Sequence, residues 1–330
     1  MRASVAPGKV ILTGEHAVVH GGAALAMAVD RHIRAIFVED LSESLRWKDP
    51  LSGQAFDVRS DQLAPQVARI EDRYEQWHQG KLSIQQILQD PSDLFIYTLA
   101  TAIQDRPMPT GDLTWRSGLP VGAGMGSSAS FIAMILKLFT DPTLATLDLM
   151  HRVHYCERLQ HGKGSLIDAS SVTLGGMVRV QQGSVACINP SPLLADFYWI
   201  FTGAPESSTG ECVAHVSEKF AKASIWDDFA KIESAWLHVS DQERLELIQQ
   251  NHRLLCDLGV VPKKVQALVQ QIEKLGGAAK ISGAGSIRGD AGGLVIAYLP
   301  KSTPDSLSLP SQSYWGVLTQ ESAGAKAFSI

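Results

Sequence analysis

Only four cysteines, Cys156, Cys187, Cys212 and Cys256, are scattered through the 330 residues. No two form a CxxC pair, which argues against a zinc site or a dithiol redox motif. Four cysteines in a chain of this length do not make a disulfide scaffold, so reduced thiols acting as small core residues are expected, in a cytoplasmic setting. Long apolar runs are missing as well. No stretch reaches the roughly 18 uncharged residues that would suggest a membrane span, and the most apolar run, 131–139, is interrupted by Lys137. The first ten residues carry no apolar run ahead of Pro7 and Gly8, so no secretory signal is expected. Charge of one sign is nowhere concentrated. The formal net charge is -5, and no basic stripe points to nucleic acid as a partner.

What is present is globular: 45% of residues are hydrophobic, enough for a sizeable core and for two domains or lobes. The pattern predicts a strand at 5–13 broken by Pro7-Gly8, then strand segments at 23–29 and 34–38. A helix is expected over 63–77 with Pro65 in its first turn, and a second over 93–103 capped by Ser92. A short strand at 112–116 precedes helices at 127–139, 145–160 and 166–174, followed by a strand at 177–182. Pro190 and Pro192 interrupt the pattern and suggest a boundary between domains 1–190 and 191–330. The second half opens with a strand at 197–202, continues through helices to about 275, and has a further strand at 294–299. The order is mixed, without regular βαβ alternation, and predicts an α+β fold rather than a doubly wound sheet.

Four segments carry candidate chemistry. The first is a glycine-rich loop, Gly122-Ala123-Gly124-Met125-Gly126-Ser127-Ser128, running into an apolar helix. Glycines let the backbone approach a ligand, and the helix start offers free N–H groups and a positive dipole end. Together these suit phosphate, although a serine-capped turn has the same composition. The Walker string GxxxxGK[ST] is absent, and GxGxxG fails because Ser127 stands at its third glycine. The second segment holds Lys9, Glu15 and His16 close together at a strand end. Taken singly, each has an ordinary structural explanation. The third holds Glu157 and, in the apolar string Leu166-Ile167-Asp168-Ala169, an acid that must be paired, functional, or a helix cap. The fourth, Lys280-Ile281-Ser282-Gly283-Ala284-Gly285, places small residues after a strand, where a backbone can approach a ligand.

The order of these segments is more specific than any one of them. PGKVILTGEHAVVHGG, PVGAGMGSSAS and KISGAG resemble the three motifs of the GHMP kinase superfamily, and the GEHAVVHG string most resembles its mevalonate kinases. The resemblance implies a two-lobed GHMP kinase fold, with a ribosomal S5 domain 2-like N-terminal lobe and a GHMP C-terminal lobe. It implies ATP and Mg²⁺, and phosphorylation of a small-molecule alcohol, most simply mevalonate. Another superfamily member, such as a phosphomevalonate or sugar kinase, and a catalytically silent ATP-binding regulator are the alternatives. A homodimer is left open.

By the same resemblance, Lys9 and Asp168 are catalytic, and Gly122, Ala123, Gly124, Met125, Gly126, Ser127 and Ser128 wrap the ATP phosphates. Ser128 and Glu157 bind the metal, while Glu15, His16 and Thr209 face the substrate. Two departures stand out. Ala169 follows the acid where mevalonate kinases typically carry asparagine, and the third loop continues as Ser286-Ile287-Arg288-Gly289-Asp290, which reads as a surface insertion.

Overall fold

The computed structural model describes residues 1–50, 52–104, 106–120, 122–162, 164–188 and 195–329. The boundary expected at Pro190 and Pro192 lies outside them. Among the described residues the strands are β1 (Arg2–Thr13), β2 (Ala23–Glu39), β3 (Ser44–Lys48), β4 (Ala55–Arg59), β5 (Gly111–Ser117), β6 (Met177–Gln181), β7 (Ser184–Ile188), β8 (Phe197–Phe201), β9 (Ala278–Ile281), β10 (Leu294–Tyr298), β11 (Tyr314–Val317) and β12 (Lys326–Ser329). The helices are α1 (Ser60–His78), α2 (Asp93–Ile103), α3 (Ser127–Phe139), α4 (Thr146–His161), α5 (Ile167–Leu174), α6 (Thr209–Phe220), α7 (Ile225–Trp236), α8 (Asp241–Asp257) and α9 (Lys263–Lys274). No helix among the described residues is long and apolar enough to cross a membrane.

Two sheets organise the described residues. The first runs β12-β1-β2-β5-β3-β4, with β6 added to β2 and β7 to β6; only the β3–β5 pairing is parallel. The second runs β11-β8-β10-β9, all antiparallel. Helices α2, α3 and α4 bury Phe95, Leu99, Ile132, Leu136 and Val153 against Phe37 and Leu45 of the first sheet. The side chains of α3 are almost entirely buried, as expected for a helix apolar all round. A second core packs Val216, Phe229, Leu268 and Val269 over Ile200, Ile281 and Val295. A third joins the two halves, with Leu12, Leu25 and Met27 meeting Trp199, Trp236, Ile248 and Ile296.

Several expectations need correcting. Pro7-Gly8 does not break β1; the strand continues through a register shift opposite β2. Pro7 is tolerated because β12 pairs only with Arg2 to Val5, so no partner on that side requires the missing N–H. The two segments expected at 23–29 and 34–38 are one strand, with the same irregularity accommodating Asp30 and Arg31. Helix α1 begins at Ser60, which puts Pro65 in its second turn. Ser92 sits at the start of α2 but donates to Asp90 instead of capping (2.6 Å); Asp93 Oδ2 accepts the N–H groups of Gln89 and Asp90. At the end of β1 the chain turns at Gly14, with φ of 88°. A Cβ there would lie 2.2 Å from the carbonyl oxygen of Ala23, so the turn that aims Glu15 and His16 requires glycine.

Candidate active site

Strand β1 is the platform. The Lys9 N–H donates to the Met125 carbonyl (2.9 Å), and Ser130 Oγ donates to the Pro7 carbonyl (2.7 Å). These bonds pin the glycine loop and the first turn of α3 over the middle of the strand. Gly126 is the N-cap of α3 with φ of 70°, and a Cβ on it would lie 2.9 Å from Lys9 Cγ. The lysine stem therefore lies against this glycine, where a side chain would have to displace it. Ser127 and Ser128 are the first two residues of the helix, where its N–H groups are free of intrahelical partners.

The Lys9 side chain is buried and ends in a salt bridge, Nζ to Asp168 Oδ1 at 3.0 Å. Asp168 lies in the first turn of α5 and is not its cap; Leu166 holds that position without a side-chain bond. Glu157 comes from α4. Burial raises its carboxyl well above the usual carboxylate range, the charge of Asp168 adds to this, and Lys9 and a hydrogen bond from Ser128 oppose it. Its Oε1 is buried without a hydrogen-bond partner.

His16 is buried, and burial lowers its pKa to about 4. Its Nε2 stands 3.1 Å from the Ala284 carbonyl. A carbonyl only accepts, so the neutral ring carries its proton on Nε2 and leaves Nδ1 as an acceptor. Glu15 pairs through Oε1 with Lys280 Nζ, while Glu15 Oε2 has no partner.

These groups line one cleft of about 330 Å³, which includes Lys9, Glu15, His16, Ser127, Ser128, Glu157, Asp168 and Thr209. Thr209 begins α6, whose capping serine, Ser208, accepts the N–H of Glu211 (3.3 Å). An adjoining hollow of about 250 Å³ is walled by Gly122, Ala123 and Gly124, by Pro205, Ser207, Ser208 and Thr209, and by the third glycine segment, 282–285. Every predicted site residue except Ala123 and Met125 borders the larger cleft. Ala123 lines the hollow, and Met125 is fully buried, contributing its carbonyl to Lys9.

Three further residues belong to this neighbourhood. Lys280 is fully buried behind Glu15. His161 lines the cleft near Asp168 and Lys9. Arg158 lines it too, held by Glu71 (2.8 Å) between the rings of Tyr74 and Tyr155. His161 follows Glu157 by four residues, which places both on one helix face, a signal present in the sequence. Nothing local distinguishes Lys280 from a surface lysine. The 286–290 segment is half inside: Ser286 is buried and accepts the Ser207 N–H (3.2 Å), while Arg288 and Asp290 are exposed and pair with Glu211 and Lys264.

Residues 95–176 match the family described as GHMP kinases N terminal domain. The chain is 30% identical over 318 residues to a mevalonate kinase of Thermococcus sibiricus, covering 90% of this chain and 88% of the relative. It is 29% identical to the Pyrococcus horikoshii mevalonate kinase over 318 residues, covering 89% and 88%. A mevalonate kinase crystal structure superposes with a TM-score of 0.80 at 20% identity, covering 97% of this chain and 99% of that one.

Proposed function

Because the chain belongs to the GHMP kinases, with their two-lobed α+β fold, we propose that it transfers the γ-phosphoryl group of ATP to the primary hydroxyl of mevalonate, giving 5-phosphomevalonate and ADP. The observation that carries the reading is the Lys9–Asp168 pair, 3.0 Å apart, facing the glycine-capped start of α3 across one cleft. The division into domains 1–190 and 191–330 is part of the same proposal.

Phosphoryl transfer asks mainly for positioning and charge neutralisation. The loop from Gly122 to Ser128 wraps the phosphates with backbone N–H groups at the positive end of α3. The acceptor oxygen bonds to the γ-phosphorus as the bond to the β,γ-bridging oxygen breaks, and the hydroxyl proton passes to Asp168. Lys9 holds Asp168 in place and brings positive charge to the transferring group. The donor set beside the loop fits Mg²⁺: a hydroxyl from Ser128 and a buried Glu157 oxygen without a partner, few carboxylates and room for phosphate oxygens. When bound, the ion neutralises phosphate charge.

On the acceptor side, Thr209 and Lys9 offer donors to a carboxylate or hydroxyl oxygen. His16 Nδ1 and Glu15 Oε2 accept from hydroxyl protons, so His16 is an acceptor toward the substrate. Mevalonate carries both kinds of group. Ala169, the departure beside the acid, is fully buried in the first core and does not border the cleft. The test is ADP release with ATP, Mg²⁺ and equal concentrations of mevalonate, phosphomevalonate, galactose or homoserine. The highest kcat/KM is expected for mevalonate. Preference for another alcohol overturns the substrate, and no ADP release with any of them points to the silent regulator.

A further inference from the structure

Glu15 and Lys280 are 265 residues apart in sequence and meet with side chains shielded from solvent. Lys280 belongs to β9 of the second sheet, and Glu15 to the turn after β1 of the first. The contact is one of several that fasten this end of β1 to the other half. Lys280 Nζ also donates to the Ile11 carbonyl (3.2 Å), the Ile11 N–H donates to Ser282 Oγ (2.7 Å), and Thr13 Oγ1 donates to Asn251 Oδ1 (2.5 Å).

Stability alone is a poor account of this pair. Burying two charges costs desolvation that their attraction often fails to recover, and well-packed apolar replacements are commonly neutral or stabilising. The pair also leaves one carboxylate oxygen unsatisfied. Glu15 Oε2 is buried with no hydrogen-bond partner, on a residue that lines the cleft beside Lys9, His16 and Thr209. A buried orphan acceptor lowers stability unless a ligand completes it.

We propose that Lys280 is a positioning residue: its ion pair holds the Glu15 carboxylate by Oε1 so that Oε2 faces the cleft and accepts a hydrogen bond from a hydroxyl of the acceptor alcohol. The proposal rests on the kinase reading above and assigns a recognition role to a residue behind the cleft wall. Lys280 does not touch the acceptor. It fixes the one side chain whose free oxygen does, and it ties the third glycine segment to the acceptor wall as well as to the nucleotide side.

The experiment compares steady-state kinetics of the full chain with Glu15→Gln, Lys280→Met and the double variant, varying the acceptor and ATP separately. Losing a hydrogen bond to a charged group corresponds to about 10- to 100-fold in binding. Glu15→Gln is expected to raise the acceptor KM by that factor with the ATP KM unchanged, the pattern of lost ground-state binding. Lys280→Met should do the same, and the double variant should match Glu15→Gln alone, because Lys280 acts only through Glu15. Multiplying effects in the double variant, or an ATP KM that rises as much as the acceptor KM, overturns the proposal. If Lys280→Met does not fold, the double variant leaves no lone buried charge, and its comparison with Glu15→Gln decides. If the wild type prefers an alcohol other than mevalonate, the substrate reading fails, and the same comparison with the preferred alcohol still tests Lys280.

Discussion

Replacing Gly126 with alanine separates backbone strain from the placement of Lys9. Gly126 has φ of 70°, and a Cβ there meets Lys9 Cγ at 2.9 Å and Cε at 3.2 Å. Holding alanine in the left-handed region costs roughly 1–2 kcal/mol. At about 2–4 °C per kcal/mol, the melting temperature should fall by about 2–8 °C. The neighbouring atoms belong to a side chain rather than backbone, so the lysine stem gives way by a few tenths of an ångström. A 1 Å misplacement of a reacting group costs on the order of 10²-fold, which scales to about 3- to 10-fold in kcat. Gly183, with φ of 79° and no atom near its Cβ position, supplies the reference. Gly183→Ala should carry the strain and lower the melting temperature while kcat holds. Thermal melts and ADP release under saturating substrates make the comparison. If Gly126→Ala loses stability and keeps full kcat, the contact between glycine and lysine stem does not govern transfer.

Asp168→Asn should lower kcat by about 10²–10⁴-fold with ATP binding retained, and near-normal turnover in the folded variant makes Asp168 structural. Glu157→Gln should raise the Mg²⁺ requirement, and an unchanged Mg²⁺ titration refutes the metal role. Glu157 also bears on stability. Folding raises its pKa above the ordinary 4.5, so the folded state binds the extra proton and Glu157 lowers stability as pH rises above that value. In Mg²⁺-free buffer, Glu157→Gln should therefore raise the melting temperature more at pH 8 than at pH 5. His16 has the opposite dependence: its folded pKa of about 4 lies below 6.5, so the unfolded chain binds the proton first and stability falls as pH drops from 6.5 toward 4. The loss reaches about 3 kcal/mol near pH 4, from about 1.36 kcal/mol per pKa unit. A His16→Asn variant should show a flatter denaturation profile across that window, and an identical profile refutes the assignment.

Helix α3 was legible in the sequence from Ser127 to Phe139, because a glycine cap followed by a continuous apolar run is a local signal. The limits of α2 were legible from the apolar run after Asp90-Pro91-Ser92, and the strand expected at 197–202 ends one residue earlier, at Phe201. The strands β3, β4, β7, β11 and β12 were not, being five residues or fewer with exposed faces and ordinary composition. β12 exists because β1 offers Arg2 to Val5 an open edge. The sequence by itself determined the segments that could carry chemistry: a glycine loop before a helix, an acid in an apolar string, and a Lys-Glu-His strand end. Their residue types and short-range spacing are written in consecutive positions. Only the tertiary structure decided that Lys9 pairs with Asp168, that Glu15 pairs with Lys280, and that His16 keeps Nδ1 as an acceptor because its Nε2–H donates to the Ala284 carbonyl. Such pairings depend on which strands lie side by side and which side chains lose water together. Nonlocal topology sets both, and neither leaves a mark at the residues concerned.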